Sequence, residues 1–453
     1  MTSTTRYPRV WGRRIAGLAA IVLAGATLAP GASAAPAAGA HRAPVGGLYV
    51  PPPDPGAKRQ VARLIAQGDK EHARQIRALI DTPQAVWFTK GTPATVKREV
   101  RQTVTRATAK GTVPVLVAYN IPFRDCAQFS AGGATTRAEY EAWIDAFAAG
   151  IGNRKAMVIL EPDGLGIIPW YDPYGSADGS NALEWCQPAE ADPATAASDR
   201  FAMLHHAVDA LGAQPKVTTY LDGTHTAWLG VGDIAHRLAQ AGVGDAAGFY
   251  LDVSNYQLTA NNEQYGRWIS SCLAYATQVA AGDFFGCPNQ YWNGGPHPAK
   301  IADLLGEWTG VALSRLAVWS DDSDDPALNT SGINLRYAQM LGATEPTAHY
   351  VIDTSRNGQG PWTPPAYPDP QDWCNPPGRG TGLAPTLDTG VPLLDAYLWV
   401  KIPGESDGEC TRGLGPAGTT VDPEWGLVDP GAGDWFPEMA LDLVANADPP
   451  LTP

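Results

Sequence analysis

Six cysteines occur in 453 residues, and none forms a Cys-x-x-Cys pair or a Cys/His cluster. Metal centres built on such spacings are therefore not expected. Basic residues are also few, with 32 Lys and Arg against 46 Asp and Glu, a net charge of −14. Such an acidic surface argues against nucleic acid or an anionic membrane as partner. Beyond residue 34 no apolar run approaches the length needed to cross a bilayer. Internal repeats, long linkers and a second module are missing too, so the bulk of the chain reads as one large domain.

The one long apolar run stands at the N-terminus. Arg6, Arg9, Arg13 and Arg14 precede "IAGLAAIVLAGATLA", which ends near the small residues Ala32 to Ala34. A charged start, a short apolar core and a small-residue cleavage site predict a secretory signal peptide over 1–34. Its removal takes four arginines and no acid, lowering the net charge from −14 to −18. Residues 35–58 form an Ala/Pro/Gly-rich leader, and 59–453 are expected to form a single catalytic domain. Export makes disulfides the natural state of Cys126, Cys186, Cys272, Cys287, Cys374 and Cys410. Six cysteines allow 15 pairings, and pairing of sequence neighbours is our expectation.

Helical periodicity appears over 59–80, 93–111, 136–152, 196–212 and 232–242. Between and after these lie short β-rich runs at 113–122, 156–162, 216–222, 247–255, 348–355 and 395–403. Continuous apolar runs alternating with amphipathic helices predict parallel strands covered by helices. The closed form of that pattern is an α/β fold, a TIM-like (β/α) barrel. The runs also end alike. They lead to Asp125, Asp163, Asp222, Asn255, Asp353 and Asp407. In a parallel barrel these C-terminal strand ends share one face, so the acids are expected to converge there. Asp233, just ahead of a helical pattern, reads instead as a helix N-cap.

A mouth of carboxylates without metal ligands, in a chain with 15 tryptophans, suits cleavage of glycosidic bonds. That reaction needs one carboxyl held protonated and one ionised, and crowded carboxylates achieve the split by mutual repulsion. Asp125 and Asp163 are candidates for such a pair. Trp87, Trp228 and Trp373 lie at loop or strand-end positions where a flat ring could stack on a pyranose. A G-x-S-x-G match at Gly404–Gly408 raises a serine hydrolase, but no helix-forming segment follows and the last histidine is His349, before the serine. The doublet His205-His206 reads as part of a helix face. A non-catalytic sugar-binding protein would not need Asp125, Asp163 and Asp407 together.

The stretches "AYNIPFRDC", "VILEPDGLG", "YLDGTHTAWLG", "VSNYQ", "VIDTSRNG", "DWCNPPGRGTG" and "WVKIPGESDG" resemble, in order, the motifs of glycoside hydrolase family 6 cellulases. The resemblance runs from about residue 45 to the C-terminus. It implies a distorted (β/α) barrel that cuts β-1,4-glucan with inversion and needs no cofactor. By that resemblance Asp163 is the general acid and Asp125 the carboxylate that raises its pKa. Tyr119 helps distort the sugar ring, and Asp407 is the base, directly or through water. Arg356, Lys401 and Glu405 hold that region and the sugar hydroxyls. Asp222 and His225 line the substrate cleft with Asn255, while Trp87, Trp228 and Trp373 stack on sugars. The pairs 126–186 and 374–410 are also implied, whereas 272–287 falls in an apparent insertion. Two departures stand out: Ala131 replaces a serine that seats the attacking water, with Ser130 beside it, and "DGTH" replaces "DAGH". The compact stretches after Asp125 and Asp353 favour an endoglucanase, with a cellobiohydrolase as the alternative. A secreted monomer acting on cellulose or soluble β-glucan is expected.

Overall fold

The computed structural model describes residues 47–173, 185–297, 309–364 and 371–451. The expected signal peptide, the first part of the leader and portions of the stretches 170–193 and 357–373 lie outside the described residues.

Seven parallel strands form one curled sheet, a distorted α/β barrel. They are β1 (Val86–Phe88), β2 (Val115–Ala118), β3 (Ala156–Leu160), β4 (Val217–Asp222), β5 (Gly248–Leu251), β6 (His349–Asp353) and β7 (Leu394–Leu398). Each pairs with the next in chain order. Between β7 and β1 the contact narrows to two hydrogen bonds, from Ala85 N to Trp399 O at 2.9 Å and from Trp87 Nε1 to Val400 O at 2.8 Å. This seam is where the barrel is distorted.

The unbroken apolar runs have a direct cause. Val115, Val117, Met157, Ile159, Tyr220, Tyr250, Val351, Ala396 and Leu398 point inward and fill the barrel. Their neighbours Leu116, Val158, Leu160, Leu221, Phe249, Tyr350 and Ile352 point outward into the layer beneath the helices. Side chains alternate across a strand, and here both faces are buried, so the runs are mostly apolar. The exceptions include Thr218 and Thr219 in β4 and Asp395 in β7, the last accepting from the Tyr220 hydroxyl.

Nine helices are described: α1 (Pro55–Ala66), α2 (Lys70–Asp81), α3 (Pro93–Ala109), α4 (Arg137–Ile151), α5 (Ala196–Gly212), α6 (Val231–Gln240), α7 (Thr259–Ala274), α8 (Ser331–Leu341) and α9 (Pro437–Ala445). In α3, Thr92 caps the first turn, Pro93 opens it, and Val96, Val100, Val104 and Ala107 form one buried stripe, the spacing expected of a helix covering a sheet. The pattern at 59–80 is two helices, not one. Gly68 at φ +82° breaks it, and Asp69 caps α2 through the His72 amide. Three further results depart from the sequence reading. Strand β1 was not anticipated, because three residues are too few to show a period. Helices α7, α8 and α9 also emerge. Asp233 is not an N-cap: Gly230 holds that position, and Asp233 pairs with Arg237 one turn on, at 2.7 Å and buried.

All three expected disulfides form, joining Cys126 to Cys186, Cys272 to Cys287 and Cys374 to Cys410. Outside the barrel, α1, α2 and α9 pack around Trp399 and cover the seam.

Candidate active site

The strands deliver their ends to one cleft of about 690 Å³, lined by Trp87, Tyr119, Asp125, Asp163, His225, Trp228, Asn255, Trp373, Lys401, Glu405 and Asp407 among others. Trp87, whose indole donates to Val400 O, and Glu405, shortly after β7, mark the seam end, and Trp228 follows β4. Eleven of the thirteen residues singled out from the sequence thus meet in one place. Arg356 and Asp222 do not line it. Both are buried just behind the cleft wall, so Asp222 as a cleft-lining residue is corrected.

Asp163 sits at the tip of a strained turn. Glu161 and Asp163 both take positive φ, +50° and +61°, a conformation that costs a non-glycine residue about 1 kcal/mol or more. Surrounding groups hold it there. Asp222 accepts hydrogen bonds from Leu165 N (3.1 Å) and Gly166 N (2.9 Å). The buried Arg200 donates to Gly164 O and Ile167 O, and Arg237 donates to Leu165 O. Gly166 is obligatory because a Cβ there would lie 2.4 Å from the Trp228 ring. A loop held at both amides and carbonyls aims its carboxyl reproducibly into the cleft.

The electrostatics around that carboxyl are one-sided. Burial pushes the Asp163 pKa well above the ordinary carboxylate range, and the charges of Asp222, Asp125 and Asp407 push it further. Asp407 is its opposite. Burial alone would raise it, but Arg356 and Lys401 outweigh burial and hold it below the usual value. Arg356 Nη1 donates to both Asp407 oxygens at 2.9 and 2.8 Å. Lys401 Nζ lies at 3.3 Å, Tyr256 donates from its hydroxyl at 3.1 Å, and Asn375 N donates at 3.0 Å. The Arg356 guanidinium also lies over the Tyr256 ring, 4.3 Å from its centroid. Two carboxyls lining one cleft thus have their pKa values pushed in opposite directions, the separation that general acid–base chemistry uses.

Asp125 occupies a one-turn helix after β2, itself at φ +58°. Burial raises its pKa despite two hydrogen bonds from Ser130: Ser130 N at 2.7 Å and Ser130 Oγ at 2.8 Å. The same Ser130 Oγ lies 2.9 Å from the Tyr119 hydroxyl. Ser130, the residue beside Ala131, thus bridges Asp125 and Tyr119. Glu161 Oε2 accepts from Asn120 N and Ile121 N, tying the end of β3 to the loop that carries Tyr119 and Asp125.

Asp353, another strand-end acid, does not reach the cleft. Its oxygens accept from Ser355 N, Val400 N and Lys401 N, so it fixes the backbone that bears Lys401. His225 remains neutral, because burial, aided by Arg315, lowers its pKa to about 3. Ser406 of the G-x-S-x-G match is buried, with its hydroxyl donating to Pro430 O at 2.8 Å, and no helix follows it. Of the doublet on α5, His206 pairs with Asp145 of α4 at 2.8 Å. Cleft residues the sequence reading missed are Trp185, Tyr256, Trp362 and the ion pair of Arg315 with Asp372 at 2.7 Å. Of these, Tyr256 carried a signal as part of "VSNYQ", and Asp372 as the first residue of "DWCNPPGRGTG". Among the described residues no group of His, Cys, Asp and Glu could hold a metal ion.

The family described as "Glycosyl hydrolases family 6" matches residues 45–447. The chain is 32% identical over 370 residues to "Endoglucanase A" of Thermobispora bispora, covering 81% of this chain and 56% of that protein. It is 28% identical over 357 residues to "Probable 1,4-beta-D-glucan cellobiohydrolase C" of Neosartorya fischeri, covering 74% and 62%. It therefore spans less than two thirds of either relative. Among solved structures, the endoglucanase Cel6 of Mycobacterium tuberculosis, in complex with a methyl-cellobiosyl-4-deoxy-4-thio-β-D-cellobioside, superposes with a TM-score of 0.58. It is 30% identical, covering 88% of this chain and 97% of that one. A match across nearly the whole domain, on a barrel with opposed carboxyls at its mouth, assigns this chain to glycosyl hydrolase family 6.

Proposed function

We propose that the protein is a secreted, monomeric endoglucanase that hydrolyses internal β-1,4 bonds of cellulose or soluble β-glucan with inversion. The observation that carries this reading is that one tryptophan-lined cleft holds both Asp163, surrounded by Asp222, Asp125 and Asp407 with its pKa pushed up, and Asp407, gripped by Arg356 and Lys401 with its pKa held down. Asp163 donates its proton to the glycosidic oxygen as the bond breaks, while Asp125 and Tyr119 support the developing positive charge. A water attacks the opposite face of the anomeric carbon. Arg356, Lys401, Tyr256 and Asn375 occupy the Asp407 oxygens, which favours proton transfer to Asp407 through a second water. Trp87, Trp228 and Trp373 offer their rings to the sugars, and Lys401, Glu405, Asn255 and His225 offer polar contacts. No cofactor takes part in this scheme.

Internal rather than terminal cutting is supported by the endoglucanase names of the Thermobispora and Mycobacterium relatives. The cellobiohydrolase name of the Neosartorya relative supports the alternative. Viscosity of carboxymethyl-cellulose followed against new reducing ends separates the two. A steep fall in viscosity at few new ends is the expected result. Ends accumulating at nearly constant viscosity would establish the cellobiohydrolase instead, and no new ends would remove the cellulase reading. Asp163→Ala is expected to lose about 10²–10⁴-fold in turnover while still binding cello-oligosaccharide.

A further inference from the structure

A second cavity, of about 530 Å³, adjoins the seam end of the cleft. It lies between the start of α1 and the segment that leads into α9, and Arg59, Gln60, Arg63, Asp434 and Trp435 line it. Gly433 lines both this cavity and the cleft, so the two meet at one glycine. The link is also electrostatic. Burial raises the Glu405 pKa to about 7 against the opposing pull of Lys401, and the charges of Asp54 and Asp434, which line the second cavity, add to the rise.

The cavity is furnished, not merely empty. Trp435 is seated by two glycines: a Cβ on Gly56 would lie 2.4 Å from Trp435 Cβ, and one on Gly404 would lie 2.5 Å from the far edge of the ring. Its Nε1–H donates to Gln60 Oε1 at 2.6 Å, and Gln60 Nε2 donates to Pro437 O. The indole is therefore fixed before any ligand arrives, and a preformed aromatic platform costs little to use. Arg59 and Arg63, one turn apart on α1, are exposed. Among the described residues neither forms an ion pair, although the chain is strongly acidic. Two guanidinium groups are matched by the carboxylates of Asp54 and Asp434 beside one fixed indole, and a lining with charges of both signs in balance makes a hydroxyl-rich, uncharged ligand the best match.

We propose that this cavity prolongs the substrate cleft: a glucan chain leaving it past Glu405 runs over Gly433 and places further sugar units on Trp435, Arg59 and Arg63. Longer chains thereby gain affinity at the seam end that short ones cannot reach. This rests on the glucanase reading for the identity of the sugar.

The test compares cellotetraose and cellohexaose. Binding is measured by calorimetry in an Asp163→Ala background, with and without Arg59→Ala and Arg63→Ala together. Both arginines are exposed on a helix whose packing residues are untouched. The expected result is tighter binding of cellohexaose, with that advantage falling about tenfold in the double-arginine variant. End-labelled cellohexaose cut by the active enzyme should then change the bond at which it is cleaved when the arginines are removed. An advantage of the longer sugar that survives the arginine substitutions, or no advantage at all, overturns the proposal. Arginine-dependent binding without hydrolysis by the unsubstituted enzyme would keep the groove and remove the glucanase reading instead.

Discussion

Replacing Arg356 by methionine tests the division of labour between the two carboxyls. The guanidinium is fully buried and contacts both oxygens of Asp407 at 2.9 and 2.8 Å. Two unit charges about 4 Å apart attract by about 4 kcal/mol at an effective dielectric of about 20. At about 1.36 kcal/mol per pKa unit, losing that attraction alone would raise the Asp407 pKa by about 3 units. Lys401, at 3.3 Å, acts equally before and after the change, so it keeps Asp407 partnered without reducing that rise of about 3 units. If Asp407 works as the ionised partner, the acidic limb of the pH–activity profile moves upward by that amount. Arg356→Lys keeps the charge and should leave the limb nearly in place, even if turnover falls. Stability shifts with it. A carboxyl with a lowered native pKa contributes stability above the unfolded value that is lost as pH falls through the native one, and breaking a buried pair costs about 3–5 kcal/mol. The assay is initial rate on a neutral mixed-linkage glucan from pH 4 to 9, at a temperature where calorimetry shows each variant folded. Equal loss at every pH, with the acidic limb unmoved, would refute the reasoning and leave Arg356 a purely architectural residue.

Further outcomes follow from other contacts. Glu161 is buried with a pKa raised to about 7, so from about pH 4.5 upward the native state is penalised relative to the unfolded one, by an amount that stops growing near pH 7. Glu161→Gln removes that penalty, so its melting temperature relative to the unsubstituted protein should be higher at pH 8 than at pH 5. An equal difference at both values would contradict the assignment. Ser130→Ala removes hydrogen bonds to Asp125 and Tyr119 together. It should lower turnover about tenfold with little change in KM, as read from steady-state kinetics on cellotetraose.

How much of this was legible beforehand depends on the range over which each signal acts. Strand and helix order follows from local periodicity, because a strand buried on both faces is mostly apolar and its covering helix is amphipathic. Hence the parallel α/β architecture and the gathering of Asp125, Asp163 and Asp407 at one mouth could be anticipated, whereas the disulfide pairs 126–186 and 374–410 were implied by the family resemblance. Local pattern also misled where context decides. The 59–80 periodicity spans a break that Gly68 and Asp69 impose, and Asp233 found a buried arginine one turn away in place of a capping role. The acids at the strand ends look equivalent in sequence. Only the tertiary structure separates them, turning Asp222 and Asp353 inward onto backbone amides, leaving Asp163 with only negative charges for neighbours, and giving Asp407 an arginine from 51 residues away. Protonation state is set by burial and by charges that the chain brings together across the barrel, and no spacing along the sequence encodes those distances. The groove beside Trp435 belongs to the same class, since its walls come from positions about 375 residues apart that meet only when the two ends of the domain close over the seam.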